Sequence, residues 1–164
     1  MYIPFEEIND NARIWIYQAD RILNASAINE IEAAGINFVS EWTAHQETLH
    51  ASFKIFHACF LVLAVDENVN DASGCSIDKS VHFIKQMEQR FNLNLFNRLN
   101  VGFMDDGKVN IMTIKQFTDL YNGHESKEGI KIFNNMISAK KDINNAWLVS
   151  VKDSWISGRL KQVV

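Results

Sequence analysis

Ser73, Gly74, Cys75 and Ser76 stand directly ahead of a well-patterned helix. Their free backbone N–H groups and the positive end of the helix dipole suit a small anion, and Lys79, one turn along, would assist. Asp66, Glu67 and Asp78 are the accessory positions nearby in sequence. A thiol at a helix start, as at Cys75, is also a candidate nucleophile or redox sensor. Such chemistry needs a histidine base, and no spacing assigns His45, His50, His57, His82 or His124 to that role. The catalytic residues and enzymatic status therefore stay open, with cysteine chemistry the minority reading.

The stretch Phe60-Leu61-Val62-Leu63-Ala64-Val65-Asp66-Glu67 has the outline of a Walker B strand, in which an apolar strand delivers carboxylates toward magnesium and water. Any buried strand ending in acidic turn residues has the same outline. A nucleoside triphosphatase also needs Gly-x-x-x-x-Gly-Lys-Ser/Thr, whose glycines let backbone N–H groups wrap the phosphates. The one register that keeps a Lys-Ser pair, Ser73 to Ser80, puts Ser73 and Asp78 at the glycine positions and follows the acidic strand instead of preceding it. ATP hydrolysis is not expected. His45 and His50 are five apart, whereas the His-Glu-x-x-His metal motif uses four, so neither metal nor cofactor is expected. Trp15, Tyr17, Trp42, Trp147 and Trp155 read first as core, and Arg13, Arg21, Arg90 and Arg98 as solvated surface.

These residues must be positioned by elements that the patterning supplies. Arg13 to Tyr17 is β-branched and aromatic, a strand. From Ser26 as N-cap, Ile28, Ile31, Gly35, Phe38, Val39 and Trp42 fall at helical spacing. Phe53 to His57 alternates, Phe60 to Val65 is continuously apolar, and a tight reversal near His57-Ala58 joins them. Ile77, Val81, Ile84, Met87 and Phe91 define one face of a second helix. Leu99 to Met104 and Val109 to Met112 flank Asp106-Gly107, a hairpin signal, and Thr113 with Gln116 opens a short helix ending near Asn122-Gly123.

The order predicts an α+β protein with a ferredoxin-like βαββαβ core, extended by a C-terminal β-hairpin and short helices. The strands around Trp15 and Leu63 are expected at the sheet centre. Both are apolar on both faces, so the C-terminal third, with Trp147 and Trp155, or a second subunit in a homodimer, must cover the face the two helices leave open. A doubly wound sheet fits less well, because the second and third strands are too close for a crossover helix.

With 164 residues, 47% of them apolar and 22% charged, the chain is expected to form one domain over residues 1–164, not a disordered tail. The net charge of −4 argues against nonspecific nucleic-acid binding. The longest apolar run, Ala58 to Val65, is far short of a membrane span, and the N-terminus lacks a secretory pattern, so a cytoplasmic protein without direct membrane insertion is expected. Cys59 lies in an apolar run and reads as core; no disulfide is expected with Cys75.

Trp15-Ile16-Tyr17-Gln18-Ala19-Asp20-Arg21, Val65-Asp66-Glu67, the Ser73 to Ser80 stretch and Phe133-Asn134-Asn135 together resemble a small bacterial family of similar length. Its members are often labelled "ABC transporter ATPase". The label implies ATP hydrolysis, yet both phosphate-binding glycines and the Leu-Ser-Gly-Gly-Gln signature are missing, so no ATPase residue carries over. The residues themselves favour a small anionic ligand held around Ser73 to Ser76, the alternative being a protein-interaction module without a small-molecule site.

Overall fold

The protein is described here by a computed structural model over residues 1–160. In chain order its elements are β1 (Arg13–Gln18), α1 (Ala25–Glu41), the short strands β2 (Thr43–Ala44) and β3 (Glu47–Thr48), β4 (Ala51–Phe56), β5 (Phe60–Val65) and α2 (Gly74–Phe91). There follow β6 (Asn100–Asp105), β7 (Lys108–Thr113), α3 (Ile114–Gly123), β8 (Lys131–Phe133), α4 (Asp142–Asn145), β9 (Leu148–Ser150), a 3-10 turn at Val151–Asp153, and α5 (Ser157–Leu160). This is a mixed α+β protein with antiparallel sheets. No helix among the described residues is long and apolar enough to cross a membrane.

Helix starts follow capping chemistry. Asn24, not Ser26, caps α1: its side chain accepts the Ala27 N–H at 2.9 Å. Thr113 and Gln116 form the expected reciprocal capping box at α3. The reversal at His57-Ala58 places both residues at positive φ, 50° and 55°, the turn geometry that matches the twist of paired strands.

β5 lies between β1 and β4 and runs antiparallel to both, with Leu63 opposite Trp15 on one side and Phe53 on the other. β1 and β4 are therefore parallel, flanking β5 with α1 as their crossover. The expected four-stranded ferredoxin-like sheet does not form among the described residues. β6 pairs with β7 and β8 in a separate sheet of order β7-β6-β8-β9, leaving β1 at an edge instead of the centre. The outer side of β1's first half is occupied otherwise: Ile14 N–H donates to Ser138 O at 2.9 Å, and Arg13 bridges Ala139.

The two sheets stack. Trp15, Phe53 and Leu63 share the face toward α1 and α2, where Phe53 meets Phe83 at 5.9 Å and Trp15 meets Trp42 at 6.1 Å. On the other face, Phe60 meets Phe133 at 4.5 Å and Trp147 at 5.0 Å. The chain itself thus covers the second apolar face, with no second subunit needed. Trp147 is buried there; Trp155 is not, being 41% exposed. Beyond the second sheet, Phe103 packs on Phe117 of α3 at 4.9 Å within a smaller core. The layers run helices, sheet, sheet, helix.

Candidate functional site

At the start of α2 the polar side chains are spent on the fold. Ser73 Oγ accepts the Ser76 N–H at 3.2 Å, Ser76 Oγ donates to Ser73 O at 2.7 Å, and Ser76 O accepts the Trp42 indole N–H at 2.9 Å. Ser76 is buried, while Gly74, Cys75 and Lys79 are exposed. Cys75, Asp78 and Lys79 share a shallow hollow with Phe38, His82 and Phe83. Asp66 and Glu67 are not part of it: Asp66 accepts from Asn68, and Glu67 pairs with Arg13 at 3.2 Å. The expected anion residues are thus gathered only in part, on an open surface.

A deeper cleft of about 380 Å³ lies elsewhere. Its walls come from the end of β1, the segment joining α2 to β6, the segment after β8, and α5. The α2–β6 segment is held by Arg21, whose guanidinium donates to the Phe91 and Asn92 carbonyls, each at 3.0 Å, where Asn92 ends α2 at φ 49°. Leu95 N–H donates to Glu88 at 2.6 Å and Leu99 N–H to the Asn97 side chain at 2.9 Å, so the loop has a defined path into β6. Phe96 then lies edge-on to Tyr17 at 5.5 Å. Burial raises the Tyr17 phenol above its ordinary value, so it stays a neutral donor across physiological pH.

The cleft floor is a chain of amides with a single consistent orientation. Trp147 Nε1 donates to Asn135 Oδ1 at 2.9 Å, Asn135 Nδ2 donates to Gln18 Oε1 at 3.0 Å, and Gln18 Nε2 donates to Asn100 O at 3.3 Å. An indole only donates and a backbone carbonyl only accepts, so the two ends fix both carboxamides between them. Each NH2 group keeps one further N–H without a partner among the described residues.

The cleft walls add Arg98 and Arg159, and among the described lining residues there is no Asp or Glu. The other arginines singled out by sequence are occupied: Arg13 by Glu67, Arg90 by Glu30 at 2.7 Å, and Arg21 by Asp20 and the α2 carbonyls. Of those four, Arg98 is the one that reaches the cleft. Sequence reading missed Gln18, Asn135 and Arg159. Their signals were slight: a polar residue ending an apolar strand, and an Asn pair after Phe133. The described residues contain no cluster of three or more His, Cys, Asp or Glu side chains suited to a metal.

Fold and site together define an α+β protein of two stacked antiparallel sheets, with a donor-rich, cationic cleft at the edge of one of them. Comparison of the chain with protein-family models, with curated proteins and with solved structures gives no match.

Proposed function

We propose that this protein is a binding module that takes a ligand bearing a carboxylate or similar acceptor-rich anionic group in the cleft beside β1. The observation that carries this reading is a pair of arginines, Arg98 and Arg159, lining a concave site that has no Asp or Glu among its described residues. A cleft of this size suits a small ligand or a short segment of a larger one. The oriented NH2 groups of Gln18 and Asn135 add neutral donors, and charge-assisted bonds from arginine to an anion are the stronger kind. The exposed start of α2 offers the same charge preference with amides and Lys79 alone, and serves as the internal comparison. Neither place has the glycines that ATP hydrolysis would need.

Thermal unfolding with benzoate, hexanoate, citrate and inorganic phosphate tests the reading. A ligand that binds only the folded state stabilises it by mass action, by about 2.7 kcal/mol at a hundredfold excess over Kd. Saturable stabilisation by at least one carboxylate, removed by Arg98→Ala with Arg159→Ala and retained in Lys79→Ala, is expected. Binding removed by Lys79→Ala alone would move the site to α2. Silence across the panel and toward carboxylate-bearing peptides alike, confirmed by unchanged amide NMR spectra, would defeat it.

A further inference from the structure

The same cleft runs along backbone that has not finished its pairing. Ile14 N–H reaches outward to Ser138 O, so in a strand of period two the backbone groups of Ile16 and Gln18 also point away from β5. The chain's own segment pairs with β1 at residues 13 and 14 and then turns away: Ile137 N–H donates to Asn134 O at 3.4 Å, and Met136 N–H to the Asn134 side chain at 3.3 Å. No backbone partner meets the outer N–H and C=O groups of Ile16 and Gln18 among the described residues. Both residues line the cleft.

Side chains wall this edge on both sides. Four of the large apolar residues exposed among the described residues, Phe96, Leu99, Met136 and Trp155, lie around it, Met136 at 76% exposure. Phe96 sits over Tyr17, on the helix-facing side of β1. Asn135 lies on the other side, against Gln18. A strand laid along an edge sends alternate side chains to opposite sides, which is the arrangement these walls would receive.

We propose that the ligand is an extended peptide segment carrying a carboxylate, which adds to the free edge of β1 and continues the ladder begun by Ser138 and Ala139. This rests on the anion-binding reading above and specifies its ligand. Charge complementarity selects the partner: Arg98 and Arg159 supply positive charge on a chain whose net charge is −4. The edge selects its form, because Ile16 and Gln18 together offer both N–H donors and C=O acceptors. A simple carboxylate meets only the donors; a peptide backbone meets both.

The test uses the full chain and a randomised library of acetylated pentapeptides with free C-terminal carboxylates, selected by affinity and identified by mass spectrometry. Selected peptides are expected to bind saturably and to slow hydrogen exchange at the Ile16 and Gln18 amides. N-methylation of alternate peptide amides in one register, and Arg98→Ala in the protein, should each weaken binding about tenfold or more, the scale of a lost charge-assisted or backbone hydrogen bond. If benzoate or hexanoate binds through the arginines while no peptide is enriched, the peptide proposal fails and the anion site stands. Peptide binding without protection at Ile16 and Gln18 overturns the strand-addition mode. If neither peptides nor simple carboxylates bind, both readings fall.

Discussion

Cys59 and Cys75 present the same thiol to opposite surroundings. Cys59 is fully buried beside the His57-Ala58 turn, its N–H donating to Phe56 O at 3.0 Å, and burial pushes its thiol up to about 12. Cys75 is exposed on the first turn of α2. A maleimide or iodoacetamide should therefore label Cys75 in the folded protein and reach Cys59 only on unfolding, as peptide mass spectrometry would show. Labelling of both at equal rates would contradict the burial. The raised Cys59 value also has a sign in stability. The folded state keeps its proton after the unfolded chain, near the ordinary value of 9.0, has lost it. The contribution is thus fully present below about pH 9 and lost as pH climbs toward about 12, at up to about 1.4 kcal/mol per pH unit. Cys59→Ala should lower stability through lost packing at every pH, yet flatten this decline. Urea unfolding of both proteins at about pH 8 and about pH 10 measures the difference in slope; equal slopes would remove the assignment.

At the scale of elements, the contact between α1 and β4 depends on a missing side chain. A Cβ on Gly35 would fall 2.1 Å from Phe53 Cδ1, and the Phe53 ring is itself held against Phe83. Gly35→Ala should gain about 1 kcal/mol in helix propensity and lose more to overpacking, for a net destabilisation on the order of 1–2 kcal/mol. In a Phe53→Leu background the same substitution should cost less; additive effects in the double-mutant cycle would refute the close approach. Much at this scale was legible in the sequence. The apolar stripe through Ile84 and Met87 placed α2, Thr113 and Gln116 marked the start of α3, and Asp106-Gly107 marked a turn now seen at φ 47° and 72°. These are signals carried within a few residues of the chain. The destination of β6 was not legible, because local pattern identifies a strand but not its neighbour. β6 pairs with β7 and β8, and the outer side of β1 at residues 13 and 14 meets 138 and 139 instead, both long-range events. The cleft was hidden for the same reason: Gln18, Arg98, Asn135 and Arg159 come from four separate segments. The start of α2 drew notice because its residues are consecutive, yet the folded chain uses Ser73 and Ser76 to cap and anchor that helix.

For the whole molecule, the stacking of the two sheets and the shape of the cleft meet at Gly102. Its backbone in β6 lies against the other sheet so closely that a Cβ would stand 2.5 Å from Gln18 Oε1 and 3.2 Å from Phe60 Cζ. Gln18 is one of the two inner members of the hydrogen-bonded chain from Trp147 to Asn100, so the layer spacing and the direction of its donors are set together. In Gly102→Ala, the flexible end of Gln18 should give way before the Phe60 ring, which is enclosed by Phe133 and Trp147. Stability should therefore fall only modestly, by about 1 kcal/mol, while the amide chain breaks. Side-chain NH2 resonances of Gln18 and Asn135 should shift in NMR spectra that otherwise keep the wild-type backbone pattern. Affinity for a carboxylate ligand should drop by about tenfold, the scale of a lost hydrogen bond to a charged group. Gln18→Ala should reproduce the affinity loss without the clash, and Gly102→Ala added to it should then cost little more. Two fully additive losses would mean that Gly102 acts on the sheets alone and that the cleft floor is not organised through Gln18.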